Sequence, residues 1–252
     1  MSELDQLRKV ILDVASKNQC GHIPSALSIL DLIYVVYEEF IVGHGDSPQD
    51  KFVLSKGHGS LALYAVLNHF GFISKSILYS FCTMGSPLGG HPDSTKCSFI
   101  EASTGSLGHG FPFGVGLALS KKIKQESGTV YVLVGDGELN EGTNWESLLI
   151  GSQLNLDNVV LIVDQNHSSD KSIDLQLLPD KFRAFGWFTI EVDGHSLSEI
   201  RDALKHESHK PKAVIANTQK GFGVKEMLNN PAWHNTRLSQ QDYELFVEAN
   251  FR

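Results

Sequence analysis

The sequence predicts an α/β fold, a parallel sheet with helices on both faces, formed as a single domain over residues 1–252. Two apolar, β-branched runs, Val130-Tyr-Val-Leu-Val134 and Val159-Val-Leu-Ile-Val163, bracket a helical stretch at 141–154. Strand-like and helical segments alternate along the rest of the chain, the pattern of crossover units on a parallel sheet. Polar groups follow both runs at once: Gly135-Asp136-Gly137 after the first, Asp164-Gln-Asn-His167 after the second. Open parallel sheets bind ligands just beyond the carboxyl ends of their strands.

Residues 4–16 place Leu4, Leu7, Ile11, Leu12 and Ala15 at helical spacing. Residues 26–40 read as a second helix, apolar over most of its surface and therefore largely buried. Phe52-Val-Leu54 is a short strand that leads through Ser55-Lys-Gly-His-Gly59 into a helix at 60–70. A short helix follows at 74–81. Residues 84–110 are rich in Gly, Ser, Thr, His and Pro, and a loop this long inside a compact domain is usually functional. Leu88, Phe99, Ile100 and Leu107 within it favour an ordered loop. Helix 111–124 precedes strand 130–134, helix 141–154 and strand 159–163. A polar loop at 164–174, a short helix at 179–185, strand 188–192, helix 197–206 and strand 213–216 follow. After Lys220-Gly-Phe-Gly223 a loop leads to a last helix at 239–248. No repeat, low-complexity tract or linker divides the chain.

A length of 252 residues suffices to bury a full core. The net charge of −8 argues against nucleic acid as partner, because neutralising phosphates needs a basic surface. Cys20, Cys82 and Cys97 lack metal-like spacing and read as reduced thiols of a cytoplasmic protein. The charged start, Met1 to Arg8, lacks the apolar stretch of a signal peptide. No apolar run approaches the roughly 20 residues that span a bilayer. The expected setting is cytoplasmic, away from membranes.

The Asp136 carboxylate and the Asn166 carbonyl oxygen are hard ligands suited to Mg²⁺. Gly135 and Gly137 carry no Cβ, so backbone N–H groups beside Asp136 can approach a phosphate. Gly-Asp-Gly alone reads as an ordinary turn. Paired with Asn166 after the next strand, it points to a metal-bridged diphosphate site. Four histidines sit beside glycines: Gly21-His22, Gly57-His58-Gly59, Gly90-His91-Pro92 and Gly108-His109-Gly110. One such pair is more often structural. The wide spacing of His22, His58 and His91 excludes a helical zinc site. They read as lining one cleft from separate loops, where neutral imidazole can donate to oxygen or pass protons. Glu138 and Glu141 read as acids complementing the amino terminus of helix 141–154. Glu146, further in, faces solvent or a subunit contact. Trp145 and Trp233 read as packing residues. The glycines of 108–116 lack the Gly-x-Gly-x-x-Gly register, which excludes a dinucleotide loop.

Six motifs run in order over nearly the whole chain: Cys20-Gly-His-Ile-Pro-Ser25, Phe52-Val-Leu-Ser-Lys-Gly-His58, Gly90-His-Pro92, Thr104-Gly-Ser-Leu-Gly-His-Gly110, Gly135-Asp-Gly-Glu-Leu-Asn-Glu-Gly142 and Asn229-Asn-Pro-Ala-Trp-His234. Together they resemble the N-terminal, diphosphate-binding portion of the transketolase family, and so a thiamin-diphosphate-binding fold. The resemblance implies thiamin diphosphate held through Mg²⁺, for which Ca²⁺ or Mn²⁺ can substitute. It implies Asp136, Asn166 and the backbone carbonyl of Ser168 as metal ligands. It assigns the Gly137 N–H, His58 and His234 to the diphosphate, and Gly105, Ser106 and Leu107 to the aminopyrimidine. His22 and His91 face substrate hydroxyls in this reading and join His234 in the catalytic set. Glu141 and Glu146 complete that set from a subunit interface, communicating between two active sites.

Ser106 and His109 depart from the family, whose members often have Pro and Gln there. The chain also ends at Arg252, before the domain that in full-length transketolases supplies the cofactor-activating glutamate and the arginines that grip sugar phosphate. The resemblance therefore implies a split transketolase. A separate C-terminal subunit, carrying the pyrimidine-binding domain, completes the site with two copies of each chain. The pair transfers a two-carbon ketol unit from a ketose, or its phosphate, to an aldose. Two alternatives stay open: another thiamin-diphosphate enzyme, either 1-deoxyxylulose-phosphate synthase-like or dehydrogenase-type, and a cofactor-free scaffold. The motifs at 20–25 and 229–234 favour transketolase over the first. Asp136, Asn166, His58 and His234 speak against the second.

Overall fold

A computed structural model describes residues 1–41, 49–170, 173–234 and 236–251. Five strands, β1 (Lys51–Leu54), β2 (Val130–Gly135), β3 (Val159–Gln165), β4 (Phe188–Asp193) and β5 (Lys212–Asn217), lie parallel in the order β1-β2-β3-β5-β4. Gly135 is level with Asp164, and Asp164 with Ala216, so the tips of β2, β3 and β5 end together. The helices are α1 (Glu3–Asn18), α2 (Ile23–Val36), α3 (Ser60–His69), α4 (Lys75–Tyr79), α5 (Gly110–Lys124), α6 (Gly142–Gln153), α7 (Leu178–Ala184), α8 (Leu197–Lys205) and α9 (Gln240–Asn250).

Alternate strand residues feed two cores. Leu133, Ile162 and Val214 pack with α1, α2, α3, α8 and α9. Val132, Leu161 and Ile215 pack with α5, α6 and α7 on the other face. Burial on both faces explains why the central strands read as unbroken apolar runs. Each of these side chains contributes about 1.5–3 kcal/mol on leaving water. Trp145 and Trp233 pack against these cores as expected, Trp233 with its ring centroid 5.2 Å from Phe246.

Several boundaries differ from expectation in ways that shape the site. Helix α2 starts at Ile23 rather than 26, because Pro24 in its first turn needs no helical donor. The helix buries Ser25, Ser28 and Asp31. The helix closes in a π-helical turn at Tyr37–Ile41. One-turn 3₁₀ segments occupy Gly57–Gly59, Gly137–Asn140 and Pro231–Trp233, each expected as loop. The loop expected at 164–174 begins after Gln165, and positions 171 and 172 of it lie outside the described residues. The long loop at 84–110 is pinned in place. Leu88 and Ile100 are buried, and the Tyr64 hydroxyl lies 3.1 and 3.2 Å from the Gly89 and His91 carbonyls. Among the described residues no helix is long and apolar enough to cross a membrane.

Candidate active site

The site grows from the tips of β2 and β3. Asp136 follows β2 and is buried. Its carboxylate accepts the Gly137 N–H at 2.7 Å and the His167 N–H at 2.6 Å. His167 adopts φ 59°, a left-handed turn that folds residues 166–168 over the carboxylate. Asn166 donates its amide to Asp164 at 2.8 Å, and its Oδ1 accepts the Ser168 N–H at 3.1 Å.

Asp164, fully buried, is the hub. It accepts from Lys56 Nζ, Thr218 Oγ1, Ser28 Oγ at 3.0 Å and Asn166. Burial by itself raises its carboxyl. The Lys56 charge and the hydrogen-bond donors overcome that and hold it below the usual carboxylate range. Asp136 behaves oppositely. Burial first, and then the facing Asp164 charge, raise its carboxyl, and the Gly137 and His167 N–H groups with Lys56 offset this only in part. A buried carboxylate under-compensated in this way fits a divalent cation. The local donors are all oxygens, as Mg²⁺ requires. Among the described residues no group of three or more His, Cys, Asp or Glu could hold a metal. An ion here would therefore take one carboxylate, the Asn166 amide oxygen and carbonyls, leaving positions for ligand oxygens.

Three of the predicted histidines meet beside these tips. The His22 ring lies 5.5 Å from His58 and 5.8 Å from His234, and His22 Nδ1 is 3.0 Å from the His234 carbonyl. His58 is held down to about 3 by burial, then by Lys56, His22 and Lys220. Burial lowers His22, while Lys220 and then burial lower His234. All three imidazoles are thus neutral at neutral pH, flanked by the ammonium groups of Lys56 and Lys220. Burial also lowers Lys220, whose Nζ sits 3.1 Å from His234 Nδ1. A cavity of about 500 Å³, lined by Asn166, Ser168, Gln219, Lys220, Pro231 and His234, opens beside this cluster. That volume suits a cofactor. A hollow of about 560 Å³ between α6 and α7 is lined by Leu149, Ser152, Gln153, Asn155, Ala184 and Phe185 and carries no titratable side chain.

Gly105 lies against Gly57, where a Cβ would come 2.9 Å from the Gly105 nitrogen, and the exposed Ser106 and half-buried Leu107 follow it. His91 is exposed and its ring backs onto Gly105, which adopts φ 145°. Glu141 and Glu146 are not part of this cluster. Both are exposed near the amino terminus of α6. Glu138 departs from the expectation of an acid complementing the amino terminus of the helix. It is 2% exposed and accepts from Ser55 Oγ, the Gly108 N–H at 2.9 Å and the Gly135 N–H at 3.3 Å. Burial raises its carboxyl. It fastens the 104–110 loop to the ends of β1 and β2.

Sequence reasoning missed Lys56, Asp164 and Lys220 as site residues. Asp164 carried a signal, an acid ending an otherwise apolar strand. Lys220 stood in a Lys-Gly-x-Gly stretch just past β5.

Residues 2–249 match the family described as "Transketolase, thiamine diphosphate binding domain". The apulose-4-phosphate transketolase of Phocaeicola vulgatus has a subunit that is 35% identical, over 94% of this chain and 88% of that one. The 6-deoxy-6-sulfo-D-fructose transketolase subunit SqwG of a Clostridium species is 33% identical, over 96% of this chain and 92% of that one. The solved transketolase of Campylobacter jejuni superposes with a TM-score of 0.89 at 27% identity, covering 98% of this chain. This chain spans only 42% of that structure's length. The chain belongs to the transketolase family through its thiamin-diphosphate-binding domain.

Proposed function

We propose that this transketolase-family chain acts as one domain and as the cofactor-binding subunit of a two-chain transketolase. With a separate subunit carrying the pyrimidine-binding domain, in a two-plus-two assembly, it moves a two-carbon ketol unit from a ketose or ketose phosphate to an aldose. The meeting of His22, His58 and His234 beside Lys220, next to the strand tips that carry Asp136 and Asn166, carries this reading.

Asp136, Asn166 and the Ser168 carbonyl would hold Mg²⁺, with Ca²⁺ or Mn²⁺ as substitutes. The Gly137 N–H, His58 and His234 would meet phosphate oxygens, and the Lys220 ammonium would balance their charge. Gly105, Ser106 and Leu107 would line the aminopyrimidine. Bound thiamin diphosphate supplies a carbon nucleophile and an electron sink for breaking and making the carbon–carbon bond. The chain's own residues do the rest. His22 and His91 orient substrate hydroxyls, and His22, held neutral, can take or return a hydroxyl proton with His234 beside it. Glu141 and Glu146 are exposed at the start of α6, and Leu149 and Ile150, one turn beyond Glu146 on the same helix, are exposed as well. Apolar side chains left in water beside these acids suit a subunit contact. The three free cysteines fit a reducing, cytoplasmic setting.

Calorimetry with thiamin diphosphate and MgCl₂ tests the cofactor. The full chain binds, and Asp136→Ala loses at least about 100-fold, beyond what removing a residue that merely supports a ligand costs. Unchanged affinity in that variant removes the metal assignment. Reconstituted with its partner, the enzyme turns over hydroxypyruvate as donor. A preference for pyruvate instead indicates a different class of thiamin-diphosphate enzyme.

A further inference from the structure

Behind the cleft lies a polar network that the proposed chemistry does not use. Asp31, in the buried helix α2, has a side chain 1% exposed. It accepts from Arg8 at 2.5 Å through one oxygen and faces His195 Nδ1 at 2.7 Å through the other. The other ring nitrogen, His195 Nε2, accepts the backbone N–H of Gln219 at 2.9 Å. An acceptor nitrogen carries no proton, so His195 is neutral with its proton on Nδ1, donated to Asp31. The ring is also stacked on Phe222, 3.6 Å between centroids and 11° between planes. Its own N–H donates to Asp193 at 2.9 Å.

Gln219 immediately precedes Lys220. The backbone here is tied at three successive residues: Gln219 N–H to His195, the Lys220 carbonyl from Asn229 N–H at 2.7 Å, and Gly221 N–H to the Pro24 carbonyl at 3.0 Å. The last two ties are backbone to backbone. The first passes through an imidazole. Arg8 closes the loop from behind, since a Cβ at Gly223 would collide with its side chain. Burying an aspartate, an arginine and a histidine is expensive unless every lone pair finds a donor. A network this elaborate is better explained by what it aims than by stability alone.

We propose that His195 is a positioning residue: it passes the fixed position of Asp31 to the Gln219 N–H, and so holds the Lys220 ammonium at the cavity wall to meet the diphosphate. The inference rests on the cofactor reading above. A second proton on Nε2 would remove the acceptor and free the Gln219 N–H. The ring meets Asp31 from α2 and Gln219 and Phe222 from the loop after β5, while Arg8 from α1 holds Asp31 and Phe222, and Asp193 at the end of β4 accepts the backbone N–H of His195.

Long-range ¹H–¹⁵N correlation spectra of the histidine-labelled full chain test the tautomer directly. They should show His195 neutral and protonated on Nδ1 at pH 7. An Nε2–H tautomer or an imidazolium overturns the proposal. A double-substitution cycle then separates positioning from general stability. His195→Phe keeps a ring on Phe222 but has no nitrogen. It should weaken Mg²⁺-dependent thiamin diphosphate binding by about 10-fold, as outer residues behind a ligand do. In a Lys220→Gln background the same change should weaken it less than about 2-fold, since residues joined in one hydrogen-bond network couple. Equal factors in both backgrounds, or no loss, mean a merely structural histidine. If the unsubstituted chain binds no thiamin diphosphate, the cofactor reading falls, and the positioning claim is then decided by hydrogen exchange at the Gln219 amide. His195→Phe should speed that exchange at least about 10-fold, the effect of losing one net hydrogen bond. Unchanged exchange overturns it.

Discussion

The two ends of β5 each present a lysine, and the protein treats them in opposite ways. At the amino end Lys212 is 6% exposed and gives its ammonium to the Ala203, Leu204 and His206 carbonyls at 3.2, 2.7 and 2.7 Å. These groups close the carboxyl end of α8, whose last carbonyls have no helical donors and attract a cation. Beyond the carboxyl end, Lys220 lines an open cavity, and its ammonium has one hydrogen bond among the described residues, to His234. Burial lowers both, Lys212 to about 8. The same contrast separates Asp164, met by four side-chain donors, from Asp136, met by two N–H groups. Burial therefore does not distinguish function from architecture here. Within these two pairs the number of internal partners does, and in each the less satisfied member, Lys220 or Asp136, follows the carboxyl tip of a strand.

Breaking the Lys56–Asp164 pair gives the largest effect. Lys56→Met leaves a buried carboxylate without its cation and costs about 3–5 kcal/mol in urea unfolding. It also weakens cofactor binding, because Asp164 orients Asn166. A loss under about 1 kcal/mol indicates that other donors suffice and that Asp164 is not the hub.

Acid should act through His58 next. Its folded pKa is about 3 against an ordinary 6.5. Above pH 6.5 both states are neutral and the group contributes nothing to pH dependence. Between 6.5 and 3 the unfolded chain binds a proton that the folded chain refuses, so stability falls as pH drops. The slope is at most about 1.4 kcal/mol per pH unit, or roughly 3 kcal/mol from pH 6.5 to 4.5. Lys56, His22, Lys220 and Asp164 all face this ring. His58→Asn should flatten the urea-derived profile by close to one proton. An unchanged slope assigns the acid sensitivity to a different group.

How far these features are legible in the sequence depends on how locally they are encoded. The strands Val130–Gly135 and Val159–Gln165 announce themselves because burial on both faces leaves no polar position in their interiors. Asp136 and Asn166 are legible for the complementary reason, as abrupt polar exits. The Lys56–Asp164 pair is not, since 108 residues separate the partners and only the adjacency of β1, β2 and β3 brings them together. Glu138 misleads because an acid ahead of a helix reads as a dipole partner. Only the fold reveals that Ser55 and Gly108 converge on it. Lys220 acquires meaning only through the cavity, which no local pattern encodes.

Exchanging the two lysines sharpens the comparison at smaller cost. Lys212→Met should lose about 1–3 kcal/mol, the penalty of orphaned buried acceptors, and leave thiamin diphosphate affinity unchanged. Lys220→Gln should lose affinity with little change in stability, because its charge is balanced mainly by what the cavity binds. If Lys212→Met also weakens the cofactor, the two ends of β5 are coupled and the division between them fails.

The smallest effect tests whether satisfaction matters without burial. Lys122 reaches the Asn155 carbonyl and lies 2.9 Å from Asp157, with the paired side chains 42% and 45% exposed. Its contacts resemble those of Lys212 in kind, an ammonium on a carbonyl near the ends of neighbouring elements. Water replaces them readily, however, and salt screens the pair. Lys122→Ala should therefore shift stability by no more than about 0.5 kcal/mol, and by less in high salt. A loss matching that of Lys212→Met would mean that the number of contacts, rather than their removal from water, sets the penalty. The contrast between the two ends of β5 would then reduce to a difference in bond count.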